Sequence, residues 1–370
     1  MTPCLDALAE EAIDCVQAVT PHPFGVFARA VFLTGLACPD NGVADYYDPL
    51  PPDAITLAHR FGDAGYDTAF FGKWQLYARD PSAPVVGEAH AKIEVPEDRR
   101  GGFGFWEGFE SGFLLNDGYY HGSSLGAPQR IEGYQSDVVI NRAIEFLDTQ
   151  SSDKPLFAVV SLDAPHPPYG EATPGIDRPA PESIMLDEAV PQDASIRKSA
   201  RRELAGYYAH IQATDRSIGN LIQHLKDRGQ WENTVFAFSS AHGDMHGSHG
   251  RFRKGWPHEE SVRVPLLISW PDGLATARRD PILISLMDLG PTLLGLACGG
   301  HWESGEDGRE RGKDLSGALR LHCLGPERQR LSMPSVPPFE KQCPYAWTAT
   351  RTVERTAGQR KDGAAFTLDH

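Results

Sequence analysis

Hydrophobic and polar positions along the chain follow two periods. Short apolar runs rich in β-branched and aromatic residues, each bounded by polar ones, predict buried strands over 66–71, 155–162, 234–238 and 262–270. Three-to-four-residue spacing predicts helices over 5–18 (LDALAEEAIDCVQA), 54–65 with Gly65 at its end, 137–147, 200–229 and 284–297. Strands that alternate with helices predict an α/β fold. The stretch 81–133, with its GGFGFWEGFESGF run, reads as a long variable loop region, and 170–195 as a Pro/Asp-rich loop.

The chemistry concentrates in 239–271. A predicted strand runs into Ser239-Ser240-Ala241-His242-Gly243-Asp244, followed by His246, His249 and a basic cluster of Arg251, Arg253 and Lys254. Open α/β sheets place ligand crevices at such carboxyl strand ends. His242 and His246 have a spacing that one helix face could turn into a metal site with Asp244 and His249, but the glycines argue for a loop. Glu259-Glu260 and Arg263 read as groups that tie strands together. Lys254 has a second reading, as part of a solvated basic face.

Composition narrows the classes. The chain has 370 residues, 41% hydrophobic and 23% charged, which fits one large globular domain plus a small one. A net charge of −15 argues against nucleic acid and anionic membranes as partners, and no apolar run approaches membrane-spanning length. Six cysteines without C-x-x-C pairing and an acidic N-terminal stretch without a leader pattern predict a reduced, cytoplasmic protein. The oligomeric state stays open.

The order of several motifs resembles the sulfatase family of the alkaline phosphatase superfamily. His242-Gly243-Asp244-Met245, Lys254-Gly255 and Glu259-Glu260-Ser261-Val262-Arg263-Val264-Pro265-Leu266 follow that family's C-terminal signature. Thr2-Pro3, Leu5-Asp6 and Leu8-Ala9-Glu10 are similar to an early family helix. Arg29-Ala30 and Leu33-Thr34-Gly35 match its nucleophile signature, Gly72-Lys73-Trp74-Gln75-Leu76 its Gly-Lys-Trp-His-Leu, and Pro165-His166-Pro167-Pro168-Tyr169 its Pro-His motif.

The resemblance implies a three-layer α/β sandwich with a largely parallel central sheet and a truncated small C-terminal subdomain, with 346–351 and 365–368 as the first and middle strands of its small sheet, and it places 81–133 where family members shape substrate pockets. The expected division is 1–320, lacking the family's first strand and its acidic pair, and 321–370. It implies that Arg29, Lys73, His166 and Lys254 contact the sulfate group. It also implies calcium or another divalent cation as the family's cofactor. Gly25 occupies the slot of the family's formylglycine-forming residue, Ala241 that of a metal-binding Asp, and Gln75 that of a His. His242 alone survives of the metal ligands at those positions, so no cofactor is expected here. Arg29 and His166 keep structural alternatives, a carboxylate partner and a backbone hydrogen bond. The expectation is a sulfatase-like protein with impaired catalysis that holds a small sulfated or phosphorylated anion. The alternatives are a non-catalytic binder of such a ligand and a fragment of a longer hydrolase.

Overall fold

The computed structural model describes residues 1–274, 277–299, 308–339 and 342–370. Its elements run α1 (Pro3–Ala9), β1 (Ile13–Val19), α2 (Gly25–Thr34), α3 (Leu57–Asp63), β2 (Asp67–Lys73), α4 (Glu88–Ala91), β3 (Phe105–Phe109), β4 (Tyr119–Gly122), β5 (Gly126–Arg130), α5 (Gln135–Thr149), β6 (Leu156–Ser161) and α6 (Ala194–Asp227). They continue with β7 (Phe236–Ser239), α7 (Glu259–Val262), β8 (Leu266–Ser269), β9 (Arg278–Ser285), α8 (Leu286–Cys298), α9 (Ser316–Leu321), β10 (Gln329–Met333), β11 (Trp347–Arg351), β12 (Arg355–Arg360) and β13 (Ala365–Asp369). Two compact units result. The first comprises 1–7, 58–231 and 246–250, the second 8–57, 232–245 and 251–370.

In the first unit five strands lie in the order β5-β4-β3-β2-β6. β2 is parallel to both β3 and β6, whereas β3, β4 and β5 form an antiparallel meander. Ala69 and Phe71 of β2 share a core with Val138, Val139 and Ala143 of α5. α6 starts where the Asp193 carboxylate accepts from Ser195 N and Ile196 N, two of the four amides that a helix start leaves unpaired.

In the second unit the order is β7-β8-β1-β9, with β1 parallel to β9 and β8 antiparallel to both neighbours. Ile13, Cys15 and Ala18 of β1 join Ile268, Ile282 and Ile284 in its core. α8 begins with a capping box of Ser285 and Asp288 and ends at Gly299 in the left-handed conformation. β10, β11, β12 and β13 form a separate antiparallel meander in chain order.

Several expectations are corrected. The single largely parallel sheet is replaced by two mixed sheets, because hairpin-like returns carry β3 to β5 and β8 reverses against β7. The run 5–18 is not one helix. It breaks after Ala9, and Ile13–Val19 alternates between core and half-buried positions inside a sheet, where its β-branched residues pack well. The stretch 81–133 holds three strands. Two of its glycines allow strand contact: a Cβ at Gly108 would meet Gly72 O at 2.1 Å, and one at Gly122 would meet Trp106 O at 1.9 Å. The strand expected first in the C-terminal sheet follows β10, and the one expected in the middle, β13, is outermost among the described strands.

β6 and β7 are each the outer strand of their sheet. Both are apolar, and neither is fully buried along its length: Ala158 is exposed, and Phe236, Ala237 and Phe238 are half-buried. Among the described residues no helix is long and apolar enough to cross a membrane.

Burial pushes His22, His121 and His210 down to about 4, from 6.5 for a free imidazole. The unfolded chain therefore binds more protons between pH 4 and 6.5, and stability falls as pH drops through that window. Burial raises the Glu110 carboxyl to about 7, which acts in the opposite sense between 4.5 and 7. His242 and His370 are lowered by burial as well, and Asp288 and Glu310 are raised by burial as Glu110 is. With five imidazoles against three carboxyls, Tm should be lower at pH 5 than at pH 7. An unchanged or higher Tm at pH 5 would contradict this balance.

Candidate functional site

At the end of β2 the chain must pass between two neighbours. A Cβ on Gly72 would stand 2.2 Å from Ser161 O of β6, and Gly72 has φ +97°, so glycine is required there. Trp74 N and Gln75 N then donate to Phe109 O and Glu110 O, which extends the pairing with β3 beyond Lys73. Lys73 is thereby held inside the protein. Its Nζ donates to Asp163 Oδ1 at 2.6 Å, with side chains 3% and 1% exposed, and lies 4.1 Å from the centre of the Phe113 ring. Asp163 N donates to Gln135 Oε1. The other face of this group is His166, stacked on Phe113 at 4.3 Å. His166 Nδ1 lies 2.7 Å from Pro167 O, so Nδ1 carries the proton and Nε2 is left as the acceptor in the neutral ring.

Gln75, at the position where the resemblance implies a His, is buried with a left-handed backbone (φ 56°). Beside it Arg79 Nη1 is 3.5 Å from Glu110 Oε1, both side chains fully enclosed. Burial raises the Glu110 carboxyl, and the Arg79 charge opposes that rise.

In the second unit α2 opens at Gly25, after Phe24 in an extended conformation, and Arg29 is one turn further on. Lys254 is 5% exposed, with Nζ 5.3 Å from the Phe24 ring centre. Its anchor is Gly255, whose carbonyl accepts from Trp347 Nε1 at 2.8 Å. A Cβ at Gly255 would stand 2.0 Å from Cys343 Sγ. Gly243 is constrained in the same way: its N donates to Ser261 O, and a Cβ would meet Glu260 O at 2.0 Å. Glu259 pairs with the fully buried Arg351 and with His370, which is the strand-tying role expected of it.

His242 Nδ1 faces Gly243 O at 2.8 Å, so Nε2 presents a lone pair. Its pKa is pushed down to about 3, first by burial and then by the Lys254 charge; Asp244 opposes, and Arg29 adds to the lowering. The three predicted residues of this unit, Arg29, His242 and Lys254, thus lie within one electrostatic neighbourhood. Lys73 and His166 come together around Phe113 in the other unit. The reading of Lys254 as part of a solvated face fails, because its side chain is enclosed while Arg253 pairs with Asp244 and Arg251 lies over Trp256.

Around His242 the described residues bring together no cluster of carboxylates of the kind that suits calcium. Calcium takes six to eight oxygens, largely from carboxylates. Asp244, the carboxylate beside His242, is engaged by Arg253 through N at 2.8 Å and Nη1 at 3.8 Å. His246 and His249 have left-handed backbones, so 242–249 does not present one helical face. Among the described residues no group of three His, Cys, Asp or Glu side chains is placed to hold a metal ion.

Asp163 and Phe113 were missed by sequence reasoning. Asp163 carried a signal, a carboxylate just past one predicted strand facing a lysine just past another. Phe113 carried none, inside a run that reads as loop.

Comparison with known proteins identifies the family and the fold. Residues 1–300 match the family model for Sulfatase. An ulvan-active sulfatase of Formosa agariphila is 34% identical over 378 residues, spanning 100% of this chain and 70% of that protein. An arylsulfatase of Clostridium perfringens is 31% identical over 338 residues, 80% and 69% of the two chains. A solved structure holding its substrate D-glucosamine-2-N,6-O-disulfate superposes with TM-score 0.81 at 20% identity, covering 100% of this chain and 86% of that one. The phosphonate monoester hydrolase of Agrobacterium radiobacter gives 0.72 at 19%, with 100% and 84% covered. At those identities the two structures speak for the fold alone.

The electrostatic neighbourhood of His242 is testable by NMR. Lys254→Met should raise its pKa from about 3 toward 6.5, and Arg29→Met should raise it less. An unmoved titration in Lys254→Met would contradict the placement.

Proposed function

Because the chain belongs to the sulfatase family, we propose that it holds the sulfate group of a sulfated ligand, or the phosphate of a phosphorylated one, and turns it over weakly or not at all. Gly25 carries this reading. It stands where the resemblance puts the residue that attacks sulfur, and glycine has no side chain from which a nucleophile can be made. Ala241 offers no metal ligand in the next slot, and Gln75 offers no titratable proton where a His is implied. The cations are still present: Arg29 near His242, Lys254 enclosed beside Phe24, and Lys73 enclosed beside Phe113. Donors and charges of this kind suit tetrahedral oxyanions. The relatives favour a sulfated sugar as the ligand, since one that is 34% identical is an ulvan-active sulfatase.

A second reading rests on β6 and β7. An outer strand that is apolar and carries neither charge nor proline is suited to pairing with a further strand. Each is suited to receive a further strand, as a longer hydrolase chain would supply. Amide exchange checks this: in the 370-residue chain, β7 amides pointing away from β8 should exchange at least tenfold faster than those of β8, and equal protection would exclude an open edge.

Calorimetry with phenyl sulfate tests the main reading. Wild type should bind, and Arg29→Ala should weaken binding about tenfold or more. Equal binding by both, or none by either, would overturn it. Gly25→Cys combined with Ala241→Asp should add no affinity for phenyl sulfate beyond about threefold, because the holding groups are unchanged.

A further inference from the structure

Lys73 meets any ligand already paired. Its ammonium is 2.6 Å from Asp163 Oδ1, and both side chains are enclosed, where water and salt screen little. Asp163 Oδ2 is buried and has no hydrogen-bond partner among the described residues. The carboxylate charge is therefore directed at Lys73 and undiluted by other donors on that oxygen. The field of Asp163 reaches as far as Tyr120 and Tyr134, whose hydroxyl pKa values it helps to raise. Glu110 is a second carboxyl within the field of Lys73.

We infer that Asp163 is a charge-selecting residue that acts through Lys73 and restricts the held group to a singly charged tetrahedral anion. The inference rests on the anion-holding reading above and names the charge class of the ligand. An oxyanion approaching Lys73 gains from the ammonium and loses to the carboxylate beside it, so the pair is a donor of almost no net charge. A sulfate ester, with one negative charge, gives up little. A phosphate monoester carries close to two above its second ionisation near pH 6, and its repulsion by Asp163 is about doubled. A lysine without this neighbour would favour the dianion instead.

The test is calorimetry at pH 8 with phenyl sulfate and phenyl phosphate, on wild type and Asp163→Asn, an isosteric change whose folding is checked by thermal unfolding. Wild type should bind phenyl sulfate more tightly than phenyl phosphate. Asp163→Asn should improve phenyl phosphate about tenfold more than phenyl sulfate, narrowing or inverting the preference. The wild-type arm stands by itself: a wild type that prefers the phosphate overturns the inference whatever the variant does. A parallel loss of both affinities in Asp163→Asn would make Asp163 a support for Lys73 and nothing more. An unchanged ratio also overturns charge selection, and in both cases the anion-holding function survives. Absence of binding to either ester in wild type and variant alike overturns that function and this inference with it.

Discussion

Removing a charged side chain from water costs several kcal/mol unless an opposite charge is placed against it. Much of the arrangement at the strand ends follows from this constraint. Lys73, the last residue of β2, is met by Asp163, just beyond β6. Arg79 is met by Glu110, just beyond β3. Arg351 of β11, wholly enclosed, is met by Glu259 at the start of α7 and by Gln17 of β1. Breaking any of these pairs from one side would leave a charge in a dry interior, at a cost of roughly 3–5 kcal/mol. The pairs therefore fix the loops that follow the strands, and with them the side chains those loops carry.

The same constraint decides what was legible in the sequence. Elements with an uninterrupted period were readable: β2, β6, α5, α6 and α8 fall within a few residues of expectation, because each repeats one spacing with a glycine, proline or capping signal at its ends. The errors have a common cause. Over 5–18 the apolar spacing is compatible with a helix, and only the position of β1 between β8 and β9 selects the strand. Over 81–133 glycine composition suggests a loop, whereas Gly108 and Gly122 are there so that neighbouring backbones can touch. Both facts belong to tertiary contact, which a window of one sequence does not contain.

The candidate site divides in the same way. Lys73 and Lys254 stand out through their motifs, and both are buried as a binding role would require. Their partners, Asp163, Phe113 and Phe24, come from elsewhere in the chain, and no local pattern names them. Gly25, Ala241 and Gln75 draw notice only through the resemblance, which sets them at the slots of a nucleophile, a metal ligand and a His. What the geometry adds is that Asp244, the carboxylate beside His242, is engaged by Arg253. Holding an oxyanion and cutting its ester bond are separable tasks: the first needs donors and positive charge, the second a nucleophile as well. This chain keeps groups suited to the first.

The most direct measurement is the appearance of free inorganic sulfate, by ion chromatography, in a mixture of the purified protein with a saturating aryl sulfate whose binding has been verified in the same sample. The account predicts a bound ester that persists, with sulfate no higher than in a protein-free control after prolonged incubation. Sulfate released in excess of the protein present, over many turnovers, would contradict it.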